Sequence, residues 1–306
     1  MTRSPRDRPV KILLFGRNGQ VGWELQRSLA PLGEVVALDR EGANGLCGNL
    51  MDAEGVSAAV RSVRPDAVVN AAAYTAVDKA ESEAEQAAQI NAIAPGAIAQ
   101  AAAEVGAWMV HYSSDYVFDG SGSRPWREDD ETGPLSVYGR TKLAGEQRIV
   151  AANPRHLVMR TSWVYAARGG NFAKTMLRLA RERERLTVIA DQHGAPTGAD
   201  LLADVTAHAV RSLLAGSGQA GIYHVAAAGE TTWNGYARFV VGKAQQAGEN
   251  VKAGPDQVDP VPTSAFPTAA RRPHNSRLAT SRFRSTFGLV LPPWQQGVSR
   301  MLEEIL

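Results

Sequence analysis

Short apolar, β-branched runs alternate with longer alanine-rich stretches of helical period through the first half of the chain. Val10 to Phe15, Val35 to Leu38, Ala67 to Asn70, Trp108 to Tyr112 and His156 to Arg160 read as strands. Val21 to Ala30, Ala53 to Val63, Glu83 to Glu104 and Leu143 to Ala151 read as the helices between them. Strand–helix alternation of this kind predicts an α/β fold, a parallel sheet covered by helices on both faces. Ligands of such sheets lie beyond the carboxyl ends of the strands. After about Gly194 the alternation lapses, and the run Pro255 to Pro273 carries five prolines. This part predicts a smaller, irregular lobe that includes a helix from Trp233 to Ala247 and a final amphipathic helix from Pro293 to Leu306.

The first apolar run ends in Gly16-Arg17-Asn18-Gly19-Gln20-Val21-Gly22, a glycine turn that opens a helix. Glycines there let backbone approach a pyrophosphate, and the helix amides meet its oxygens. The spacing is Gly-x-x-Gly-x-x-Gly, the short-chain dehydrogenase variant of the dinucleotide turn. The expected organisation is therefore a Rossmann-type doubly wound sheet over residues 10–190. A substrate lobe takes mainly 191–306, with some segments free to return to the sheet, and residues 1–9 form a disordered tail. Asp39 ends the second strand, where a carboxylate accepts hydrogen bonds from an adenine-ribose diol. Arg40 follows, and its guanidinium suits the extra 2′-phosphate of NADP. Together they suit both NADH and NADPH.

Tyr138 and Lys142 stand four residues apart, one helical turn, on one face. A phenol is a poor acid–base group at neutral pH, and an ammonium beside it favours the phenolate. Reduction of a carbonyl needs a proton donor at its oxygen, the role that suits Tyr138, while Lys142 suits the nicotinamide ribose. Ser113-Ser114-Asp115-Tyr116 ends the fourth strand, so a hydroxyl from another element can face Tyr138 and hydrogen-bond the same oxygen.

The segments Gly16 to Arg27, Asn70 to Glu81, His111 to Phe118, Val137 to Glu146, Arg160 to Tyr165, Asn171 to Leu179 and Asp191 to Thr197 together make the chain resemble the extended short-chain dehydrogenase/reductase family. The resemblance implies a catalytic triad of Ser114, Tyr138 and Lys142. It implies cofactor contacts from Gly19, Gln20, Val21, Asp39, Asn49, Leu50, Ala73, Tyr74 and Thr75, beside the glycines Gly16 and Gly22. It also implies reduction of the 4-keto group of a dTDP-linked 6-deoxyhexulose for bacterial surface polysaccharide, with Ser114, Asp115 and Trp163 against the sugar nucleotide. The family more often carries threonine at 114, which leaves the hydroxyl role intact, and often aspartate at 49. Glu24, Asp200 and Glu304 align with its magnesium ligands, at a subunit contact of a homodimer.

Arg272 and Arg277 offer guanidiniums to a substrate pyrophosphate from the smaller lobe. Arg178 to Arg185 reads as a salt-bridged exposed helix face without chemistry. His111, His193, His208 and His224 lack zinc-ligand spacing. Net charge is +2 over 306 residues with the basic side chains scattered, which leaves no footprint for nucleic acid. One cysteine, Cys47, and no apolar run of the roughly 20 residues a membrane helix needs predict a cytoplasmic protein. Two further functions stay open on the residues alone. One is a sugar-nucleotide epimerase or dehydratase using Asp115; the other is a non-catalytic cofactor-binding regulator, which the intact triad opposes.

Overall fold

The structure, a computed structural model, describes residues 9–306; the expected tail lies outside the described residues except for Pro9. The first half follows the alternation in the sequence: β1 (Lys11–Phe15), α1 (Gln20–Leu29), β2 (Glu34–Leu38), α2 (Ala53–Val63) and β3 (Ala67–Asn70). Two short helices, α3 (Val77–Ala80) and α4 (Ala84–Ala88), precede α5 (Ala94–Glu104), β4 (Trp108–Ser114), α6 (Val137–Ala152) and β5 (His156–Thr161). The single helix expected over Glu83 to Glu104 runs without a gap from Ala84 to Glu104, widening into a π turn at Gln89–Ile93 that places Asn91 in the interior.

Beyond β5 come β6 (Val164–Tyr165), α7 (Phe172–Glu182), β7 (Leu186–Ile189), β8 (His193–Gly194), β9 (Thr197–Gly198), α8 (Ala199–Ala215) and β10 (Gly221–His224). The chain closes with β11 (Thr231–Thr232), α9 (Trp233–Gln246), β12 (Val258–Val261), α10 (Ser281–Phe287) and α11 (Trp294–Ile305). The main sheet has six strands in the order β10-β5-β4-β3-β1-β2, all parallel. Ile12 to Phe15 and all of β3 are buried, as strands covered on both faces must be. On one face Leu25 and Leu29 of α1 pack with Leu202, Val205 and Val210 of α8. On the other, Val56 and Val60 of α2 pack with Ile98 and Ala102 of α5 and Ile149 of α6.

A separate apolar cluster holds the smaller lobe: Met176 and Leu177 of α7, Leu186 and Val188 of β7, Tyr236 and Val240 of α9, and Val298 and Leu302 of α11. β7 and β12 pair in parallel within it. The two clusters divide the chain differently from a cut at residue 190. α7 and β7 lie before that point yet pack with the smaller lobe, whereas α8, β10 and Phe283 of α10 lie after it and complete the sheet domain. Periodicity shows that an element is amphipathic without showing which core its apolar face meets. Among the described residues no helix is long and apolar enough to cross a membrane.

Candidate active site

The glycine turn follows β1 and is anchored where Gly16 and Arg17 donate backbone N–H bonds to the Leu38 carbonyl, at 2.9 and 3.1 Å. A Cβ on Gly22 would stand 2.0 Å from the Gly16 carbonyl oxygen, so the first turn of α1 can lie on the glycine loop only without a side chain there. Gly19 is the N-cap and no side chain caps the helix, which leaves its first-turn amides to an anion. The geometry fits a pyrophosphate. Gln20, at the mouth of this turn, accepts a bond from the Asn171 amide of the other lobe at 3.4 Å, and Val21 packs against the sheet.

Asp39 ends β2 as expected, but its partner is Arg17, whose Nη2 and Nε lie 2.6 and 2.8 Å from Oδ2. Asn18 donates to the same oxygen at 3.0 Å. The Arg17 guanidinium beside it holds the Asp39 carboxyl below its ordinary range. Arg40 is exposed on the following turn, so the guanidinium that meets the Asp39 carboxylate comes from the glycine loop. Asn49 receives the Met51 amide at 3.1 Å and shapes the entry to α2, and Leu50 is buried against Leu38 and Phe15.

Ala73, Tyr74 and Thr75 leave β3 along the strand ends. Asn91, from the π turn, accepts the Tyr74 amide at 2.9 Å, donates to its carbonyl at 3.1 Å and reaches Thr141 at 3.2 Å. One buried asparagine thereby fixes this loop against α6, beside Lys142. The Tyr74 hydroxyl donates to Glu83 at 2.6 Å, and that carboxylate pushes the phenol up to about 12.

α6 carries the Tyr-Lys pair. Ser136 caps it by accepting the Gly139 amide at 3.2 Å, which starts the helix one residue before Tyr138. A Cβ on Gly139 would stand 2.2 Å from the Tyr116 carbonyl oxygen, so glycine lets this first turn press against the end of β4. There the Tyr138 phenol comes near the Ser114 hydroxyl, its ring edge-on to that of Tyr116 with centroids 5.3 Å apart. Ser114 gives its own proton to Asp115 Oδ1 at 3.0 Å and accepts the Tyr116 amide at 3.2 Å. The only hydrogen bond that the Ser114 hydroxyl donates among the described residues is the one to Asp115.

Tyr138 and Lys142 lie on one face, as their spacing predicts, but the ammonium does not favour a phenolate. Burial pushes the Tyr138 phenol up to about 12, with the nearby Ser114 hydroxyl acting against it and the Asp115 charge adding to it. Lys142 is buried, donates to the Tyr112 carbonyl at 2.6 Å and lies 3.3 Å from His111 Nε2. Burial lowers it to about 8, opposed by the Glu146 charge. Asp115 is pushed up to about 6 by burial, against hydrogen bonds that include the Ser276 and Ser114 hydroxyls. One of its oxygens, Oδ2, lies buried without a partner meeting ordinary hydrogen-bond geometry, so the Ser276 contact is a loose one.

The smaller lobe reaches the same strand ends. Trp163 adopts φ +50°, a left-handed conformation costly for a tryptophan, and stacks on Trp233 with ring centroids 3.8 Å apart. Its ring edge and the Ser276 side chain both crowd the space where a Cβ on Gly194 would stand, which brings the indole close to Ser276. Arg272 is held by an ion pair to Asp78, and its Nε lies buried without a partner. Arg277 is bound to Glu230 at 2.6 Å and so is tied within the small lobe.

The three acids matched to metal ligands do not converge within the chain. Glu24 pairs with Arg27, whereas Arg300 lies 3.9 Å from Asp200 and 3.6 Å from Glu304. A guanidinium thus stands where a cation between those carboxylates would be. Among the described residues no group of three acidic, histidine or cysteine side chains is placed to hold a metal ion.

The RmlD substrate binding domain family matches residues 10–306. The chain belongs to this family. The RmlD relatives include the dTDP-4-dehydrorhamnose reductase of Escherichia coli K12, 59% identical over 97% of this chain and 98% of its own length. Among solved structures, a dTDP-4-dehydrorhamnose reductase of Clostridium acetobutylicum matches with a TM-score of 0.87 and 35% identity, covering 97% of this chain and 99% of that one. That of Bacillus anthracis, solved in complex with NADP, matches with a TM-score of 0.86 and 33% identity over the same shares. Arg17, Asn91 and His111 have no place in the sequence reading as site residues. Arg17 lay in plain view inside the glycine motif, whereas the other two are visible only once the π turn and the strand order bring them inward.

Proposed function

We propose that the chain reduces the 4-keto group of dTDP-6-deoxy-L-lyxo-4-hexulose to dTDP-L-rhamnose, as a dTDP-4-dehydrorhamnose reductase using NADPH or NADH. The observation that carries this reading is the meeting of Tyr138, Ser114 and Asp115 at the end of β4, with the Ser114 hydroxyl 3.0 Å from Asp115, beside a glycine turn shaped for a pyrophosphate. A bound nicotinamide cofactor supplies the hydride. The protein's own task is to hold the sugar's C4 carbonyl oxygen and give it a proton.

Tyr138 holds that proton firmly at neutral pH, since its phenol is pushed up to about 12. It gives the proton up as charge develops on the oxygen, the situation in which a positioned acid is worth about 10²–10⁴ in rate. Ser114, which donates to Asp115 in the free protein, turns its hydroxyl to the same oxygen and stabilises the developing alkoxide. Lys142 holds the nicotinamide ribose. Gly16, Gly19, Gln20, Val21 and Gly22 cradle the pyrophosphate, and Ala73, Tyr74 and Thr75 pass beneath the nicotinamide end. At the adenosine end Asp39 accepts the ribose diol of NADH, and Arg17 turns to the 2′-phosphate of NADPH. Trp163 gives the deoxysugar an apolar face. Arg272, with an Nε in search of an acceptor, exchanges Asp78 for the substrate pyrophosphate.

The test is consumption of NADH and of NADPH by the purified protein when the 4-keto sugar is generated in place, with product mass and stereochemistry determined. Formation of dTDP-L-rhamnose is the expected result. Cofactor binding without hydride transfer overturns the reading, and a tightly held NAD that is reduced and reoxidised in each turnover points instead to an epimerase or dehydratase.

A further inference from the structure

His111 sits in the middle of β4, fully buried, between Asn70 and Lys142. Asn70 is its direct partner across the β3–β4 ladder. The Ala72 backbone N–H lies 3.1 Å from Asn70 Oδ1, and because that N–H can only donate, the asparagine must present its oxygen there. Its NH2 group is thereby turned to His111 Nδ1 at 3.1 Å. Nδ1 must accept, so the neutral ring carries its proton on Nε2. That proton points at Lys142 Nζ, 3.3 Å away.

An ammonium has donors only, so a charged Lys142 meets the ring donor against donor. A neutral amine has a lone pair for Nε2–H and still gives an N–H to the Tyr112 carbonyl at 2.6 Å. We propose that the Asn70–His111 pair is a positioning device for Lys142: it holds the lysine retracted on β4 as a neutral amine, and the lysine takes up a proton when a nicotinamide ribose draws it away. The proposal rests on the reductase reading only in giving Lys142 that contact with the ribose.

The surroundings agree. Burial keeps His111 well below its ordinary value, so the ring is neutral, and Lys142 is itself lowered to about 8. From its own helix Lys142 feels Glu146, whose carboxylate is bound by Arg160 of β5. From β4 it meets His111 and the Tyr112 carbonyl. Asp115, beyond the end of β4, acts on Tyr138 instead.

The experiment measures the dissociation constant of NADPH by fluorescence between pH 6 and 10, for the full chain and for Asn70→Asp, His111→Gln and Lys142→Met. A single group that must gain a proton on binding weakens affinity about tenfold per pH unit above its free pKa. The unsubstituted protein is expected to lose affinity from about pH 8 upward. Asn70→Asp accepts from Nδ1, reverses the tautomer and gives the ammonium a ring lone pair, so its decline begins at least one pH unit higher. His111→Gln, which can turn its amide oxygen to the ammonium, shifts the same way, and Lys142→Met abolishes the decline. Coincident midpoints in the unsubstituted, Asn70→Asp and His111→Gln proteins, or a decline that survives Lys142→Met, overturn the proposal. Should neither Asn70→Asp nor His111→Gln fold, nitrogen-15 spectra of histidine-labelled protein decide: a His111 proton on Nε2 supports the proposal and one on Nδ1 refutes it. None of these readouts needs turnover, so a protein that shows the shifts but does not reduce the dTDP-sugar refutes the reductase reading and leaves this one standing.

Discussion

Glu146→Leu tests how the helix that carries Tyr138 and Lys142 is held against the sheet. Arg160 and Glu146 are 4% and 1% exposed, and three N–O contacts of 2.7, 2.9 and 3.2 Å join them. Removing the carboxylate leaves a buried guanidinium whose remaining partners are the Glu128 carbonyl at 3.4 Å and the face of Phe118 at 5.0 Å. Breaking one side of such a pair costs about 3–5 kcal/mol. Unfolding entropy of about 2.1 cal/mol/K per residue, taken over roughly 300 residues, converts this to a fall in Tm of about 5–8 °C. Scanning calorimetry at neutral pH without cofactor reads it directly. The double variant Glu146→Leu with Arg160→Met carries no orphaned charge and should recover most of the loss, short of about 1 kcal/mol for the lost cation–π contact. A single variant that melts within about 2 °C of its parent, or a double variant no more stable than the single one, refutes the reasoning.

Tyr138→Phe should lower turnover by about 10²–10⁴ while leaving the NADPH dissociation constant unchanged; steady-state rates beside fluorescence titration check this, and a weakened cofactor with intact turnover contradicts it. Arg17→Ala removes a charge-assisted contact worth about 1.5–3 kcal/mol to a 2′-phosphate, a loss of about 10- to 100-fold for NADPH with none for NADH; equal weakening of both refutes the assignment. Asp115 is raised to about 6 from an ordinary value of 3.8. Its contribution to stability is therefore full below pH 4 and lost as pH rises through 6. Asp115→Asn does not ionise, so its Tm should gain on the parent between pH 4 and pH 7 while turnover falls, and a Tm difference independent of pH counts against this.

Much of the first half was legible because Ile12 to Phe15 of β1 and Ala67 to Val69 of β3 are continuous apolar runs and α1 and α2 each bury one face of their residues. Gly16 to Gly22, Ser114, Tyr138 and Lys142 stand in short segments whose chemistry depends on local spacing, which a sequence displays directly. What stayed hidden depends on distant residues. The π turn that rolls Asn91 inward adds no distinctive residue type to Glu83 to Glu104. His111 looks like any polar residue in a strand until the β3–β4 register sets it opposite Asn70. The pKa of Tyr138 could not be had from its spacing to Lys142, because burial dominates the phenol and the carbonyl of Tyr112 holds the lysine's nitrogen. Arg17 rather than Arg40 meets Asp39 because the turn after β1 folds back onto the end of β2.

The polypeptide passes from the sheet domain to the smaller lobe after β5, returns for α8 and β10, departs for α9 and β12, comes back for α10 and leaves again for α11. No single cut releases either part. A fragment ending at residue 190 would lack β10, present β5 as an open sheet edge that invites pairing with another chain, and uncover Leu25 and Leu29 on α1. Recombining this sheet with a foreign substrate lobe would require exchanging three separate segments together. Altered substrate binding is therefore more accessible by changing loop side chains in place than by shuffling whole modules.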